Sequence, residues 1–174
     1  EKVVPVYPEG KYKALTMRYD DGTGNDRRLL EIFNANGIRG TFYLIPANLN
    51  RGGDAIADAE AAQLYSGHEI GNHTYSHLRP SDLTTSQLAY EVENGKIYLE
   101  RIINGTVSGF AYPYSEFGND KQAFLQCLKN TGHKYAVTGI SSRTFDLPDL
   151  SKPYEIPFTI RHRENLMEMA EQYI

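Results

Sequence analysis

The feature that most constrains the fold is a regular alternation of strand-like and helix-like segments. Short runs rich in β-branched and aromatic residues alternate with stretches whose apolar residues recur at helical spacing. The predicted strands cover residues 13–19, 41–46, 68–72, 107–112 and 134–139. Five such alternations are typical of an α/β architecture with a mainly parallel sheet.

The helical segments between these strands have recognisable ends. Thr84 and Gln87 are spaced as a capping box, and the stripe of apolar residues that follows stops at Asn104-Gly105. The predicted helices cover residues 26–37, about 55–66, 84–105, about 119–131 and 163–174. Both a barrel and an open sheet fit this pattern.

The length of the chain restricts these choices. Its 174 residues fall short of the roughly 250 that a complete eight-stranded barrel needs. With 40% hydrophobic and 23% charged residues, we expect a single globular domain over residues 1–174. The last amphipathic stretch reaches Ile174 without a stop signal, so the sequence leaves open whether the native chain continues.

Composition excludes several classes of protein. A net charge of −4 repels nucleic acid, and no Lys/Arg cluster is strong enough to override it, so we expect no nucleic-acid partner. No apolar run approaches the roughly 20 residues of a transmembrane helix, and the first ten residues lack the pattern of a signal peptide. The single cysteine, Cys127, excludes an intramolecular disulfide, and its spacing predicts a core position on a helix.

Polar side chains follow several of the predicted strands. Asp20 and Asp21 come after the first strand, His73 and His77 after the third, and Tyr114 after the fourth. The carboxyl ends of parallel strands share one rim, where active sites are built. We therefore expect three separate segments to converge there.

Each of these segments also has an ordinary interpretation. Asp-Asp-Gly is typical of a turn, and two histidines four residues apart are often hydrogen-bonded loop residues. Together at one rim, two imidazoles and one carboxylate satisfy a zinc-like ion and leave a position open for water. A second carboxylate beside the ligand can act as a base.

The other histidines are predicted to be structural or exposed. His68 lies five residues before His73 and points to the opposite face of a straight strand, which favours a structural role. His133 follows the helix stop at Gly132 and is expected to be a solvated turn residue. His162 lies among charges before the last helix and is expected at the surface or the rim.

The motifs "RYDDG" and "HTYSH", with "TFYLIP" between them, resemble the polysaccharide deacetylase family, also called the NodB homology domain or carbohydrate esterase family four. The resemblance implies a distorted or incomplete (β/α) barrel. It implies that Asp20 is the catalytic base and that the Tyr114 amide donates to the oxyanion. It also implies that Asp21, His73 and His77 bind one divalent transition-metal ion, with zinc expected.

The chain departs from the family pattern at its third motif. The motif appears as "AYPY", with Ala111 where the family has an arginine that orients the base. The chain also has no tryptophan and no recognisable Leu-x-His motif, whose histidine is the family's general acid. Arg18 precedes Asp20 by two residues and shares its strand face, so it is the hypothesised replacement, with Arg143 as a second candidate. Alternatively, Arg18 pairs with some other acid.

The resemblance implies a metal-dependent hydrolase that removes acetyl groups from a carbohydrate, either an N-acetylglucosamine polymer or an acetylated xylan. The alternative is a catalytically weakened carbohydrate-binding domain that retains the metal site. Another metal-dependent hydrolase, acting on a phosphoester or a cyclic amide, would need further rim carboxylates that the sequence lacks. A polymer substrate favours the cell envelope or exterior. The sequence specifies neither the glycan, the choice of N- or O-deacetylation, nor the oligomeric state.

Overall fold

A computed structural model describes residues 7–173, and every structural statement below concerns those residues. Six parallel strands form one sheet in chain order. The strands are β1 (Met17–Asp21), β2 (Gly40–Leu44), β3 (Glu69–Asn72), β4 (Gly109–Ala111), β5 (Tyr135–Ser141) and β6 (Ile156–Phe158). The helices are α1 (Asp26–Ala35), α2 (Asp58–Leu64), α3 (Thr85–Ile103), α4 (Lys121–Asn130) and α5 (Leu166–Tyr173).

The sheet curls into a half-barrel with helices, which confirms the predicted incomplete (β/α) barrel. β1 and β6 form its two edges. The first strand begins later than expected and extends to Asp21, so Asp20 and Asp21 are its last two residues. β6 is absent from the sequence prediction because it has only three residues, one of them Pro157, and proline argues against a strand assignment.

The capping box that opens α3 is confirmed. The Gln87 N–H donates to Thr84 Oγ1 at 3.3 Å, and the Thr84 N–H donates to Gln87 Oε1 at 2.9 Å. The helix ends at Asn104, whose left-handed conformation stops it. Among residues 7–173, none of the helices combines the length and hydrophobicity needed to span a bilayer.

Alternate residues of the strands face two different environments. On the outer face, Phe42 and Leu44 of β2 pack against helical side chains that include Leu30, Phe33 and Leu99. On the inner face, a smaller apolar cluster is formed by Tyr43, Ala111 and Val137.

The inner face also carries polar groups. The hydroxyls of Tyr43 and Tyr135 lie 3.2 Å apart, and the Tyr135 hydroxyl donates to Glu69 at 2.8 Å. A side chain at Gly71 would overlap the Tyr43 ring, so glycine is required there. The concave side of the half-barrel is therefore partly polar below the rim.

The prediction for His133 is wrong. Its side chain is 2% exposed rather than solvated, and its Nε2 atom lies 3.2 Å from Asn72 Nδ2. The Thr131 hydroxyl lies 2.8 Å from His133 Nδ1 and itself donates to Cys127 O, so Nδ1 carries the proton and Nε2 accepts from the Asn72 amide. Burial lowers the pKa of His133 to about 4. A neutral histidine therefore completes a buried hydrogen-bond chain.

The other two side chains with structural predictions lie away from the rim. His68 accepts from the Gly40 N–H at 3.2 Å through Nδ1, and its Nε2 lies 3.1 Å from Asn34 Oδ1, as expected for a structural histidine. Cys127 is only partly buried and packs at the edge of the core around α4. Burial raises the pKa of its thiol, which suits a packing role.

Candidate metal centre

Asp21, His73 and His77 come together at the carboxyl end of the sheet. One ligand atom from each side chain lies within 4.8 Å of the others. Asp21 Oδ1 is 3.7 Å from His73 Nε2 and 3.9 Å from His77 Nε2. Asp21 ends β1, and both histidines follow β3, so the expected convergence of these two segments is observed.

The backbone around this cluster is strained. Positive φ angles occur at Asp21 (85°), Thr74 (63°), His77 (57°) and Tyr114 (55°). For residues other than glycine, each such conformation costs about 1–3 kcal/mol and persists only where the surroundings enforce it. Their concentration at one rim is typical of a functional site.

His73 is held in a defined orientation. The residue is 3% exposed, and its Nδ1 atom lies 2.8 Å from the backbone oxygen of Ala111. Because a carbonyl oxygen can only accept, Nδ1 must carry the proton, and Nε2 is left with a free lone pair. Nε2 is the atom that faces Asp21. A hydrogen bond of this kind to the far nitrogen is usual for metal-ligating histidines.

His77 is held by its backbone and by ring contacts. Its N–H donates to Thr74 Oγ1 at 3.1 Å. Its ring centroid lies 4.7 Å from those of both His73 and Tyr114. Burial lowers the pKa of His77, the neighbouring His73 lowers it further, and the two aspartates act in the opposite direction. The neutral imidazole needed for metal binding is thereby favoured.

The donor set and its spacing fit a small divalent ion. Ligand bonds of about 2.0–2.1 Å at tetrahedral angles place donor atoms about 3.3 Å apart. The two separations from Asp21, 3.7 and 3.9 Å, exceed this by only a few tenths of an ångström, and all three donor atoms lie within 4.8 Å of one another. Two imidazole nitrogens and one carboxylate oxygen are a donor set typical of catalytic zinc, with a fourth position open.

Asp20 and Arg18 share the inner face of β1, as the two-residue spacing predicts. Asp20 pairs in register with Tyr43 of β2, and its side chain is exposed at the rim. Its charge raises the pKa of His77, so Asp20 lies within electrostatic range of the candidate metal ligands.

Arg18 crosses the inside of the half-barrel. Its Nη2 donates to Thr138 O at 2.5 Å, and its guanidinium lies 4.8 Å from the centre of the Phe158 ring. Burial lowers the pKa of Arg18, and the charge of Asp20 is the largest influence opposing that. Within residues 7–173 no Arg18–Asp20 ion pair closer than 4.0 Å is formed, and Arg18 Nη1 is buried without a hydrogen-bond partner. The guanidinium is therefore within electrostatic range of Asp20 but forms no ion pair with it.

The other candidate replacement for the missing arginine lies elsewhere. Arg143 Nη2 forms an ion pair with Glu164 Oε1 at 3.0 Å, and its side chain is largely exposed. His162 is exposed, as expected, and contacts Arg163. Ala111 is buried on the inner face, where its carbonyl oxygen accepts a hydrogen bond from His73.

The rim next to His77 carries groups that the motifs do not identify. The Tyr114 ring is half-exposed, and the Arg79 guanidinium stacks on it at 4.3 Å from the ring centre. Arg79 also forms an ion pair with Glu116. Glu91 of α3 is also absent from the sequence prediction, although its carboxylate accepts two hydrogen bonds from Ser76, between the two histidines. The sequence does contain one indication of this role, because Glu91 is a charged residue on the otherwise apolar stripe of α3, beside Val92.

Known proteins resemble this chain in sequence. A family model described as polysaccharide deacetylase matches residues 8–136. Over 96 residues the chain is 36% identical to a chitin deacetylase of Arthroderma benhamiae, covering 53% of this chain and 25% of that protein. A peptidoglycan-N-acetylglucosamine deacetylase of Bacillus cereus is 28% identical over 91 residues, covering 51% of this chain and 41% of the relative. The aligned part is thus less than half of either curated relative.

The fold also has solved counterparts. A Streptococcus pyogenes deacetylase, solved in complex with acetate, superposes with a TM-score of 0.77 at 18% identity. The superposition covers 90% of this chain and 68% of that one. At this identity the likeness concerns the fold alone, and it agrees with the half-barrel described above.

Proposed function

The chain belongs to the polysaccharide deacetylase family, and from this premise we propose that it is a metal-dependent hydrolase that removes acetyl groups from a carbohydrate. The observation that carries the proposal is the cluster of Asp21, His73 and His77, with a second carboxylate, Asp20, next to it in the chain. Binding a metal would need only one of the two aspartates. The second is therefore available for proton transfer.

Asp21 and the Nε2 atoms of His73 and His77 would hold the ion. When bound, a divalent ion, with zinc expected from the donor set, would lower the pKa of water to about 7 and polarise the acetyl carbonyl. The hydrogen bond from His73 to Ala111 O keeps one ligand in the required tautomer before any ion arrives.

Asp20 is the proposed general base. Its carboxylate accepts a proton from the attacking water as the water oxygen adds to the acetyl carbon. The carbon–nitrogen or carbon–oxygen bond then breaks, acetate departs, and the leaving amine or hydroxyl gains the proton that balances the one taken by Asp20. Positioned proton transfer of this kind contributes about 10²- to 10⁴-fold to the rate.

The Tyr114 N–H is the proposed donor to the oxygen on which negative charge develops. In the backbone turn that contains Tyr114, the Ser115 N–H donates to Tyr112 O and the Glu116 N–H donates to Pro113 O. The Tyr114 N–H takes part in no hydrogen bond among residues 7–173. Tyr114 itself has a left-handed backbone conformation. A preorganised donor at this position acts without reorganisation during the reaction.

Arg18 is proposed as the cationic neighbour of Asp20. The same-face placement on β1 and the attraction between their charges support this role. An opposite charge at close range favours the ionised carboxylate, which is the form that accepts a proton. Arg18 would thus replace, from another strand, the arginine missing at Ala111.

The proposed substrate is an acetylated polymer, either an N-acetylglucosamine glycan or an acetylated xylan, and the proposed location is the cell envelope or exterior. The Tyr114 ring is half-exposed at the open rim, between His77 and the stacked Arg79, and its exposed part is available for contact with a sugar. Acetate release across a panel of acetylated glycans tests the function. Release from at least one glycan supports it, and release from none would favour the alternative.

That alternative is a carbohydrate-binding domain that keeps the metal site but has lost catalysis. The specific observation in its favour is Ala111, which offers no charge to the rim. A domain of this kind would bind glycan oligomers with an unchanged acetyl content. Measuring binding and acetate release on the same oligomers separates the two functions.

A further inference from the structure

The segment that carries both histidines is held from behind by α3. Glu91 Oε2 accepts from the Ser76 N–H at 2.7 Å, and Glu91 Oε1 accepts from the Ser76 hydroxyl at 2.5 Å. The backbone oxygen of Glu91 accepts from the Tyr75 N–H at 3.0 Å. One helical residue thus makes three hydrogen bonds to the residues between His73 and His77.

The burial of Glu91 is unusual. The residue is 5% exposed, and within residues 7–173 it forms no ion pair with Lys, Arg or His. A buried carboxylate without a cation is unfavourable unless its hydrogen bonds compensate. Both of its oxygens are used on Ser76. A residue needed only to fill the core at this position would be apolar, like its neighbours Leu88 and Val92.

One helical turn further along α3, Gly95 allows the same segment to approach closely. A Cβ atom at Gly95 would collide with Asn72 Oδ1 and would lie 3.0 Å from the Thr74 carbonyl carbon and 3.1 Å from the Tyr75 nitrogen. On the same side, Asn72 Nδ2 donates to Val92 O at 2.8 Å. The segment from Asn72 to Ser76 is therefore fastened to one face of α3.

We propose that Glu91 is a positioning residue that preorganises the two histidine ligands through Ser76. Gly95 completes this arrangement by letting the helix lie against the segment. The inference rests on the proposed function, since it assumes that His73 and His77 hold a metal ion. Glu91 itself touches neither the ligand atoms nor the substrate position.

Preorganisation is needed because the segment is strained. Thr74 and His77 both have positive φ angles, and the Thr74 side chain is hydrogen-bonded to the His77 N–H. Without Glu91 the segment would relax, and metal binding would have to restore the strained form. Loss of an outer contact of this kind typically lowers metal affinity about 10- to 100-fold.

The test compares Glu91→Gln with Ser76→Ala and with the control Glu93→Gln, which changes an exposed glutamate on the same helix. The glutamine keeps the size of Glu91 but replaces one of its two acceptor oxygens by an NH₂ group, so only one of the two Ser76 donors keeps an oxygen acceptor. Zinc affinity is measured by competition with a chromophoric chelator. We expect affinity to fall about 10- to 100-fold in Glu91→Gln, to fall less in Ser76→Ala, and to stay unchanged in Glu93→Gln.

A second measurement uses the metal-free proteins. Hydrogen exchange at the Ser76 and Tyr75 amides should accelerate about tenfold or more in Glu91→Gln, while amides of β2 keep the parental rate. A uniform acceleration across the molecule would indicate a purely structural role and overturn the proposal. Unchanged exchange at Ser76 would overturn it as well.

The outcomes separate this proposal from the function on which it rests. If the parent binds no zinc, the proposed function fails, and the exchange data still decide whether Glu91 holds the segment. If the parent binds zinc and Glu91→Gln binds it equally well, the positioning role is wrong and the metal site stands. If Glu91→Gln does not fold, Ser76→Ala decides, and parental zinc affinity in that variant would refute the proposal.

Discussion

His73 donates its Nδ1 proton to the backbone oxygen of Ala111, across a distance of 2.8 Å. This bond joins the loop after β3 to the end of β4 and fixes which imidazole nitrogen faces Asp21. The position that lacks the family's arginine side chain therefore still supports the candidate metal site through its backbone. The departure at Ala111 leaves the three proposed ligands in place.

Replacing His77 by alanine should abolish stoichiometric metal binding, because two donors cannot hold the ion as three do. Metal content of the purified proteins and zinc affinity are the measurements. His162→Ala is the matched control, since it removes an exposed histidine and should leave metal content unchanged. Full metal content in His77→Ala would refute the ligand assignment.

Asp20→Asn should keep the metal and lose at least about a hundredfold in turnover, because the base is removed while all three ligands stay. Metal content and acetate release must be measured on the same samples. A variant that keeps its metal and its parental rate would show that Asp20 takes no part in proton transfer.

Arg18→Ala should lower kcat/KM and change its dependence on pH, because the variant lacks the positive charge that is proposed to act on Asp20. Arg143→Ala is the control, because that guanidinium is paired with Glu164 instead. An unchanged profile in Arg18→Ala would leave Arg18 with a structural role, on Thr138 O and Phe158.

The stability of the fold should fall as the pH drops from about 6.5 to about 4, because of His133. Its pKa is lowered to about 4 by burial, so in this window the unfolded chain takes up a proton that the folded protein does not. The difference between this pKa and that of an ordinary histidine corresponds to about 3 kcal/mol in the free energy of unfolding. Urea unfolding at several pH values measures it.

In His133→Gln this part of the pH dependence should disappear, whereas in His162→Gln it should persist. The glutamine can still accept from Asn72 within the buried chain, so the variant is expected to fold. An identical pH dependence in His133→Gln and the parent would show that another group is responsible.

The sequence predicts those parts of the fold and site that depend on local pattern. The alternation of strands and helices, the capping box at Thr84, and the approach of Asp21 to the two histidines follow from periodicity and from strand ends. The short strand β6 does not, since three residues around a proline carry almost no signal.

Long-range contacts account for most of what sequence reasoning missed. His133 is buried because Asn72, 61 positions away, donates a hydrogen bond to its ring nitrogen. The Arg18 guanidinium is directed by Thr138 O, 120 positions away. The role of Glu91 depends on a loop 15 residues before it. No local pattern encodes these partners, because the curvature of the sheet and the packing of α3 bring them together.

The most direct test of the proposed function is reversible loss of acetate release on metal removal. The parent protein is assayed on the best substrate of the glycan panel, then after chelation and dialysis, and again after one equivalent of zinc is added. We predict that chelation abolishes release and that zinc restores it in the parent but not in His77→Ala. Acetate release that continues at the parental rate in the metal-free protein would contradict the metal-dependent mechanism.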